Sequence, residues 1–233
     1  MTGSHDARER LIAAAEGLLT RWGPRAVSMD AAAAAAGAGK MSAYRHFASR
    51  DELLAAALEH HHPRHLRWLV GRDLVPGPGR TGATGQAGPA PAGPTAASPA
   101  PVGPTPAGPA SAGPAAASPS GQILAAFDRL ESAAGAEPFR GCPFVDAALG
   151  VPGPGDRAGP IAWQHKQEVT GALTELAAQA GLAGPQELGA ALALIIDGAA
   201  VQAALAPDRA SRQQIVRRGR RVAEVLLASA AAS

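Results

Sequence analysis

The side chains able to do chemistry fall into a few groups along the chain. Cys142, beside Pro143 and Phe144, is the only cysteine. Such a residue is either a redox or electrophile sensor or a small buried hydrophobe, and no intramolecular disulfide can form. His60, His61, His62 and His65 crowd one segment. Consecutive histidines on a helix point in different directions and no nearby cysteine completes a site, so a solvated helix end is expected, with metal sensing as the competing reading. Arg217, Arg218, Arg220 and Arg221 sit opposite an apolar stripe; such a face meets water, or else touches DNA or anionic lipid. Trp68, Phe127, Cys142, Phe144, Trp163 and His165 either line a small-molecule pocket or fill the core of an aromatic-poor chain. No G-x-S-x-G elbow, P-loop, dinucleotide fingerprint or H-E-x-x-H is present, and no nucleophile–base pair stands out. Enzymatic chemistry on an all-α scaffold is the least favoured reading; neither cofactor nor metal is expected.

The remaining group lies between Ser28 and Arg50. Ser28-Met29-Asp30 through Gly37, then Lys40-Met41-Ser42-Ala43-Tyr44-Arg45-His46-Phe47, reads as helix, glycine turn, helix. Both helices are too short to stand alone. They make sense only braced by neighbours, with the second exposed and of a diameter that fits the B-DNA major groove. The chain has two lysines, Lys40 and Lys166, and one of them is here.

The elements that must position this group are helical. A first helix is predicted from about Asp6 to Trp22, where Leu11, Ala14, Ala15, Leu18, Leu19 and Trp22 recur at helical spacing before Gly23-Pro24. Ser28 caps a second over Ala31–Ala36, which Gly37 ends. A third spans Lys40–His46. A fourth starts at Ser49, where Ser49-Arg50-Asp51-Glu52 has capping-box spacing, and Pro63 kinks or ends it. Residues 76–121 are almost wholly Pro, Gly, Ala, Ser and Thr, with Arg80 the one charge and a near-repeat from Ala87 and Ala107. Such a stretch builds no core and is expected to be a disordered, partly polyproline-II insertion, a tolerated loop expansion or else a docking site for a proline-recognising partner. Further amphipathic helices are expected over Ile123–Ala134, Cys142–Leu149, Ile161–Ala180, Gln186–Leu205 and Ser211–Leu227. Gln186–Leu205 is apolar nearly all round and should be buried on more than one side. No convincing strand is present.

The domain reading is therefore 1–50 as a helix-turn-helix unit, 51–75 as a connecting helix, 76–121 as the insertion and 122–233 as a second helical domain. Hydrophobic residues make up 46% of the 233 and aromatics only 3%, so Ala, Leu and Val must carry the packing, which favours helices. Residues 1–75 hold ten Lys/Arg against eight Asp/Glu, and residues 121–233 ten against eleven; this slight N-terminal excess permits DNA binding without establishing it. The first residues reach Asp6, Arg8, Glu9 and Arg10 with no apolar core of the signal-peptide kind. No uncharged apolar run approaches the roughly 20 residues that span a bilayer. A cytoplasmic protein without a membrane partner is expected.

Ala36-Gly37 followed by GKMSAYRHFASRDELL resembles the TetR family of transcriptional regulators, with the likeness covering roughly residues 6–59. The resemblance implies an all-α protein: an N-terminal three-helix helix-turn-helix DNA-binding domain plus a C-terminal helical ligand-binding and dimerisation domain. It implies core roles for Leu11 and Phe47 and a turn at Gly37. Lys40, Tyr44, His46 and Arg50 would contact phosphates, Met41 and Ser42 would reach base edges, and Ser28 would bond a phosphate as well as cap its helix; Arg45 joins this DNA-binding set. Ala32, Ala38 and Ala43 stand where larger aliphatics are usual, which predicts a thinner core. Arg140-Gly141-Cys142-Pro143-Phe144 is similar to a segment of some members' ligand domains. The implied protein is a ligand-responsive repressor that binds a palindromic double-stranded DNA operator as a homodimer paired through its last two helices and released by a small-molecule effector of unknown identity. The alternative is a helical small-molecule binder without DNA binding.

Overall fold

The computed structural model describes residues 2–71, 118–150 and 157–232. Among these residues every regular element is helical: α1 (Thr2–Trp22), a 3-10 turn (Pro24–Ala26), α2 (Met29–Ala35), α3 (Lys40–His46), α4 (Arg50–Val70), α5 (Pro119–Ala134), α6 (Pro143–Gly150), α7 (Ala158–Gln179), α8 (Pro185–Leu205) and α9 (Arg209–Ala231). The Pro/Gly/Ala-rich stretch read at 76–121 lies outside the described residues except for its last four. Those four belong to the start of α5, whose N-cap is Ser118, its hydroxyl oxygen accepting from the Gly121 N–H at 3.1 Å. Proline at the first helical position is compatible with a helix start because its missing N–H would have had no partner there.

Local chemistry sets the N-terminal boundaries. The Ser28 hydroxyl oxygen accepts from the Ala31 N–H at 3.1 Å, and the Ser49 hydroxyl oxygen from the Glu52 N–H at 3.1 Å. Glu52 reaches back to the Ala48 N–H at 2.8 Å, a capping box whose return bond falls one residue early. At the end of α2 the Ala38 N–H donates to the Ala33 carbonyl at 2.9 Å, the 6→1 bond that closes a helix through a left-handed residue. That residue is Gly37, φ +61°, with open space where a Cβ would stand; the backbone conformation, not crowding, calls for glycine there.

Two hydrophobic cores result. The first joins Leu11, Ala15 and Leu19 of α1 with Ala32 and Ala33 of α2, Ala43 and Phe47 around α3, Leu53–Leu58 of α4, and Phe144, Ala147, Ala158 and Ala162 from α6 and the start of α7. The second joins Leu66, Leu69 and Val70 of α4 with α5, α7, α8 and α9. Leu11 is fully buried and Phe47 is 1% exposed, as the resemblance implied. Ala32 and Ala43 are fully buried too, so the thin core expected from them is taken up by close helix approach. In the second core Gly189 of α8 lies so close to Thr174 of α7 that an added Cβ would collide with its backbone.

α4 serves both cores, and Pro63 does not end it. The helix runs on to Val70 and closes at Gly71, φ 73°. An interior proline costs about 3 kcal/mol or more in isolation; here buried leucines on both sides hold the helix through it. The Arg129 guanidinium of α5 donates to the Leu69 carbonyl at 3.1 Å, satisfying one of the carbonyls left bare by the helix end.

α8 departs from expectation. Leu188, Leu192, Ile196, Ala199 and Ala203 are buried, but Leu194 and Leu205 are 73% and 81% exposed, so within one chain only one side is covered. By length and composition α8 could cross a membrane, with mean hydropathy 1.8; the sequence reading found no such run. It carries Glu187 and Asp197, and nearly half of its apolar window is buried inside the protein. The charged face of α9 keeps Arg217, Arg218 and Arg221 exposed, as read from the sequence, and two of its arginines also reach acids of the protein. Arg217 pairs with Glu131 at 2.8 Å and Arg220 with Asp128 at 2.8 Å, both on α5, tying the last helix to the core.

The cap at Ser49 sets the entry into α4 and hence the seat of α3. Ser49→Ala is expected to lower unfolding stability by about 1 kcal/mol, measured as a reduced urea midpoint at unchanged m-value.

Candidate nucleic-acid interface and the histidine seam

α3 has two faces. Ala43 faces inward and Phe47 follows it into the core, each at most 1% exposed. On the other side Met41 is 73% and Tyr44 48% exposed, with Lys40 and Arg45 also exposed and Ser42 and His46 half-buried. The short helix therefore presents a methionine, a phenol, a cation pair, an imidazole and a hydroxyl to solvent, fixed from behind by α1, α2 and α4. Such groups can donate to phosphate oxygens and meet base edges. Ser28, half-buried at the α2 cap, accepts from the Ala31 N–H and keeps its own O–H free to donate.

Two members of the expected set have partners already. The Lys40 ammonium lies 2.9 Å from the Asp30 carboxylate. That hydrogen bond and the Asp30 charge hold the ammonium above its ordinary range. The pairing is physically apt, because Lys40 stands at the unfavourable positive end of α3 while Asp30 stands at the favourable positive end of α2. Arg50, expected at a phosphate, is engaged within the protein. Its guanidinium donates to the Val27 carbonyl at 2.7 Å and the Pro24 carbonyl at 2.5 Å, and meets Asp51 at 3.2 Å. It bolts the turn before α2 to the start of α4. Asp30 is the residue that sequence reasoning missed; an acidic residue in the first turn of α2 reads as ordinary dipole compensation until the turn brings Lys40 onto it.

The set proposed for a small-molecule pocket divides. Phe127 is fully buried in the C-terminal core, away from Phe144 in the other core. Trp163 is 68% exposed, whereas His165 two residues later is fully buried; residues two apart on a helix project to nearly opposite sides, so both could not line one site. Cys142 is 8% exposed and Phe144 fully buried. The Phe144 ring stacks on His165 at 3.8 Å, and Trp68, half-buried, lies 5.3 Å from His65, centroid to centroid.

The histidines of α4 form a polar seam between the two cores rather than a solvated helix end. His60 and His61 each reach Glu16 of α1 through Nδ1, at 2.8 and 2.9 Å, and Arg64 joins the same carboxylate. His62 turns the other way, its Nε2 2.8 Å from Glu168 and its Nδ1 3.0 Å from Nδ1 of His165, both on α7. Burial would raise the Glu16 carboxyl, yet the hydrogen bonds from His61 and His60 and the charges of His61 and Arg64 bring it down to about 2. Burial, reinforced by the neighbouring histidines and Lys166, pushes His65 and His165 well below the ordinary imidazole value of 6.5 and keeps them neutral. Burial would also lower Lys166, but the neighbouring Cys142 and Asp197 hold its ammonium above its ordinary range. Among the described residues no group of three His, Cys, Asp or Glu is arranged to hold a metal ion.

Residues 11–57 match the family model of bacterial regulatory proteins of the tetR family. Residues 11–57 are a TetR-family domain, and the chain has the fold of a TetR-family transcriptional regulator. A TetR-family transcriptional regulator from Streptomyces coelicolor matches with TM-score 0.66 at 22% identity, covering 97% of this chain and 96% of its own. A TetR transcriptional regulator from Chloroflexus aurantiacus matches with TM-score 0.60 at 18% identity, covering 95% and 96%. A cysteine mutant of the TetR-family regulator CifR, solved in complex with 26-bp double-strand operator DNA, matches with TM-score 0.56 at 19% identity, covering 92% and 94%. A sequence search of curated proteins gives no match. The matched domain begins inside α1 at Leu11 and ends inside α4, so it takes in the second half of α1, α2, α3 and the first buried leucines of α4.

Two measurements check this description. The Lys40–Asp30 pair predicts opposite effects on DNA binding: Lys40→Ala should weaken binding to all sequences and reduce the salt slope by about 0.9, whereas Asp30→Asn should tighten it severalfold by freeing the ammonium and removing a carboxylate that faces phosphate. Equal effects of the two changes on a gel-shift titration would remove the pair from the interface. The second concerns acid. His65 and His165 stay neutral when folded but protonate when unfolded, so the unfolded state takes up protons first as pH falls. Stability should be intact above 6.5 and decline below it, well before the loss at Glu16, which belongs between 4.5 and about 2. Melting curves against pH should show the first decline, and His165→Phe should flatten it.

Proposed function

We propose that this chain is a ligand-responsive transcriptional repressor that binds a palindromic operator in the cytoplasm as a homodimer. The single observation that carries the DNA half of this reading is the outer face of α3: Met41 and Tyr44 stand exposed beside Lys40 and Arg45 on a helix whose opposite face is locked into a core. Met41 and Ser42 are assigned to base edges, and Ser28, Lys40, Tyr44, Arg45 and His46 to the phosphates. Arg50 acts indirectly, by fixing the turn that carries Ser28.

The homodimer rests on α8 and α9. Leu194, Val201 and Leu205 recur at helical spacing on the uncovered side of α8, and Val222 and Val225 are 50% and 68% exposed on α9. Two helices from each of two copies would bury these faces together, and the two-fold axis would set two α3 helices on successive major grooves. An effector would favour a spacing of the two heads that no longer fits those grooves.

Gel shift against the DNA upstream of the chain's own gene tests both halves. A complex with two-fold footprint symmetry is expected, and Leu194→Glu with Val225→Glu should give a folded monomer whose operator affinity falls at least tenfold. Wild-type protein that binds a small molecule yet shifts no DNA would favour the reading as a small-molecule binder alone.

A further inference from the structure

His165 is fully buried, and among the described residues its Nε2 has no hydrogen-bond partner; the Nδ1 of His65 is likewise buried and without a partner among them. Buried polar atoms of this kind are rare, since each forfeits the hydrogen bond it had in water. The protonation of the His165 ring follows from its neighbours. Both oxygens of the Glu168 carboxylate accept: Oε1 from Gln164 at 2.9 Å and Oε2 from Nε2 of His62 at 2.8 Å. A carboxylate has no proton to give, so in neutral His62 the proton sits on Nε2 and Nδ1 carries a lone pair. That lone pair lies 3.0 Å from Nδ1 of His165, so the proton in this contact belongs to His165. A neutral imidazole has one N–H, and Nε2 of His165 is left as a bare acceptor.

We infer that Nε2 of His165 is the hydrogen-bond anchor for a neutral aromatic alcohol, which donates its O–H to that nitrogen. A carboxylate cannot answer a lone pair, and Lys166 with the surrounding histidines disfavours a cation. Nothing fixes the tautomer of His65, so its Nδ1 is free to donate to the same kind of group, and a hydroxyl is the simplest group that donates and accepts at once. The surroundings are aromatic. Phe144 stacks on His165 at 3.8 Å, and His65 stands edge-on to it at 5.0 Å with Trp68 beyond. The inference rests on the reading of the chain as effector-responsive and names the class of effector. It also gives that effector a route to the DNA-binding head, because His62, the partner of His165, is next to the two histidines that hold Glu16 of α1.

The test uses the full chain with phenol and anisole, its methyl ether, as probes. Side-chain nitrogen NMR near neutral pH should show His165 protonated at Nδ1 and His62 at Nε2. Phenol should bind and shift the His165 Nε2 resonance, and anisole should bind about tenfold more weakly, the loss of roughly one buried hydrogen bond. His165→Phe should erase that preference; should this variant fail to melt cooperatively, the tautomer and the probe comparison on wild-type protein still decide. An Nε2-protonated His165, equal binding of phenol and anisole, or an ordered water at Nε2 with no response to phenol would each overturn the inference. The operator gel shift separates it from the regulator reading. Phenol preference without a DNA complex leaves the site standing and removes the regulator, whereas a DNA complex without phenol preference does the reverse.

Discussion

Two helices, α4 and α7, each belong to both hydrophobic cores, and the arrangement of the molecule follows from how α4 is held between them. α4 buries Leu53–Leu58 with the DNA-binding head and Leu66, Leu69 and Val70 with the C-terminal bundle. Between these stretches the sequence turns polar, from His60 to His65, and the cores do not merge. Apolar burial therefore fixes each end of α4, while hydrogen bonds and charge fix its middle: Glu16 from α1 on one side, Glu168 and His165 from α7 on the other. The seam is where the buried imidazole atoms without a partner lie.

The head compensates for small core residues with specific polar ties. Ala15, Ala32, Ala33 and Ala43 are at most 3% exposed, and each contributes little apolar area. A core built so largely of alanine gains by bringing backbones close, which makes it sensitive to any added methylene. The Arg50 guanidinium, with two carbonyl acceptors at 2.5 and 2.7 Å, and the two serine caps hold the backbone in the positions that burial alone would leave loose. This explains why an arginine so near α3 faces inward: charged hydrogen bonds to the Val27 and Pro24 carbonyls are worth more to this fold than one more exposed cation.

What was legible in the sequence was the local part. Ser28 and Ser49 announced their helices because a hydroxyl cap acts within three residues, and the bounds of α3 fell at Lys40 and His46 as read. The glycine at 37 was legible for the same reason, being a backbone requirement. What was not legible depended on groups far apart in the chain. Nothing near His62 indicates that its partners are more than 100 residues away at His165 and Glu168, so a histidine run looked like a solvated end. Arg217 and Arg220 read as a free charged face because their acids, Glu131 and Asp128, lie on another helix. Pro63 read as a kink or an end of the helix, and the helix runs on through it, because the penalty is local and the compensation is not. Trp163, two residues from His165 on a helix, projects to nearly the opposite side.

The uncovered side of α8 raises the question of what an apolar helix face is for. Length and hydropathy alone would admit a lipid environment, but three features argue against it. Half of the helix is already packed against α7 and α9. Asp197 is engaged with Lys166 of α7, which would leave an ion pair at the depth of the hydrocarbon, where such groups are costly. And the exposed leucines and valines of α8 continue onto α9 among the exposed arginines Arg218 and Arg221, a mixture of apolar centre and charged edge that suits a protein surface. In the homodimer proposed above, a second copy of the chain would meet this face with one of the same composition.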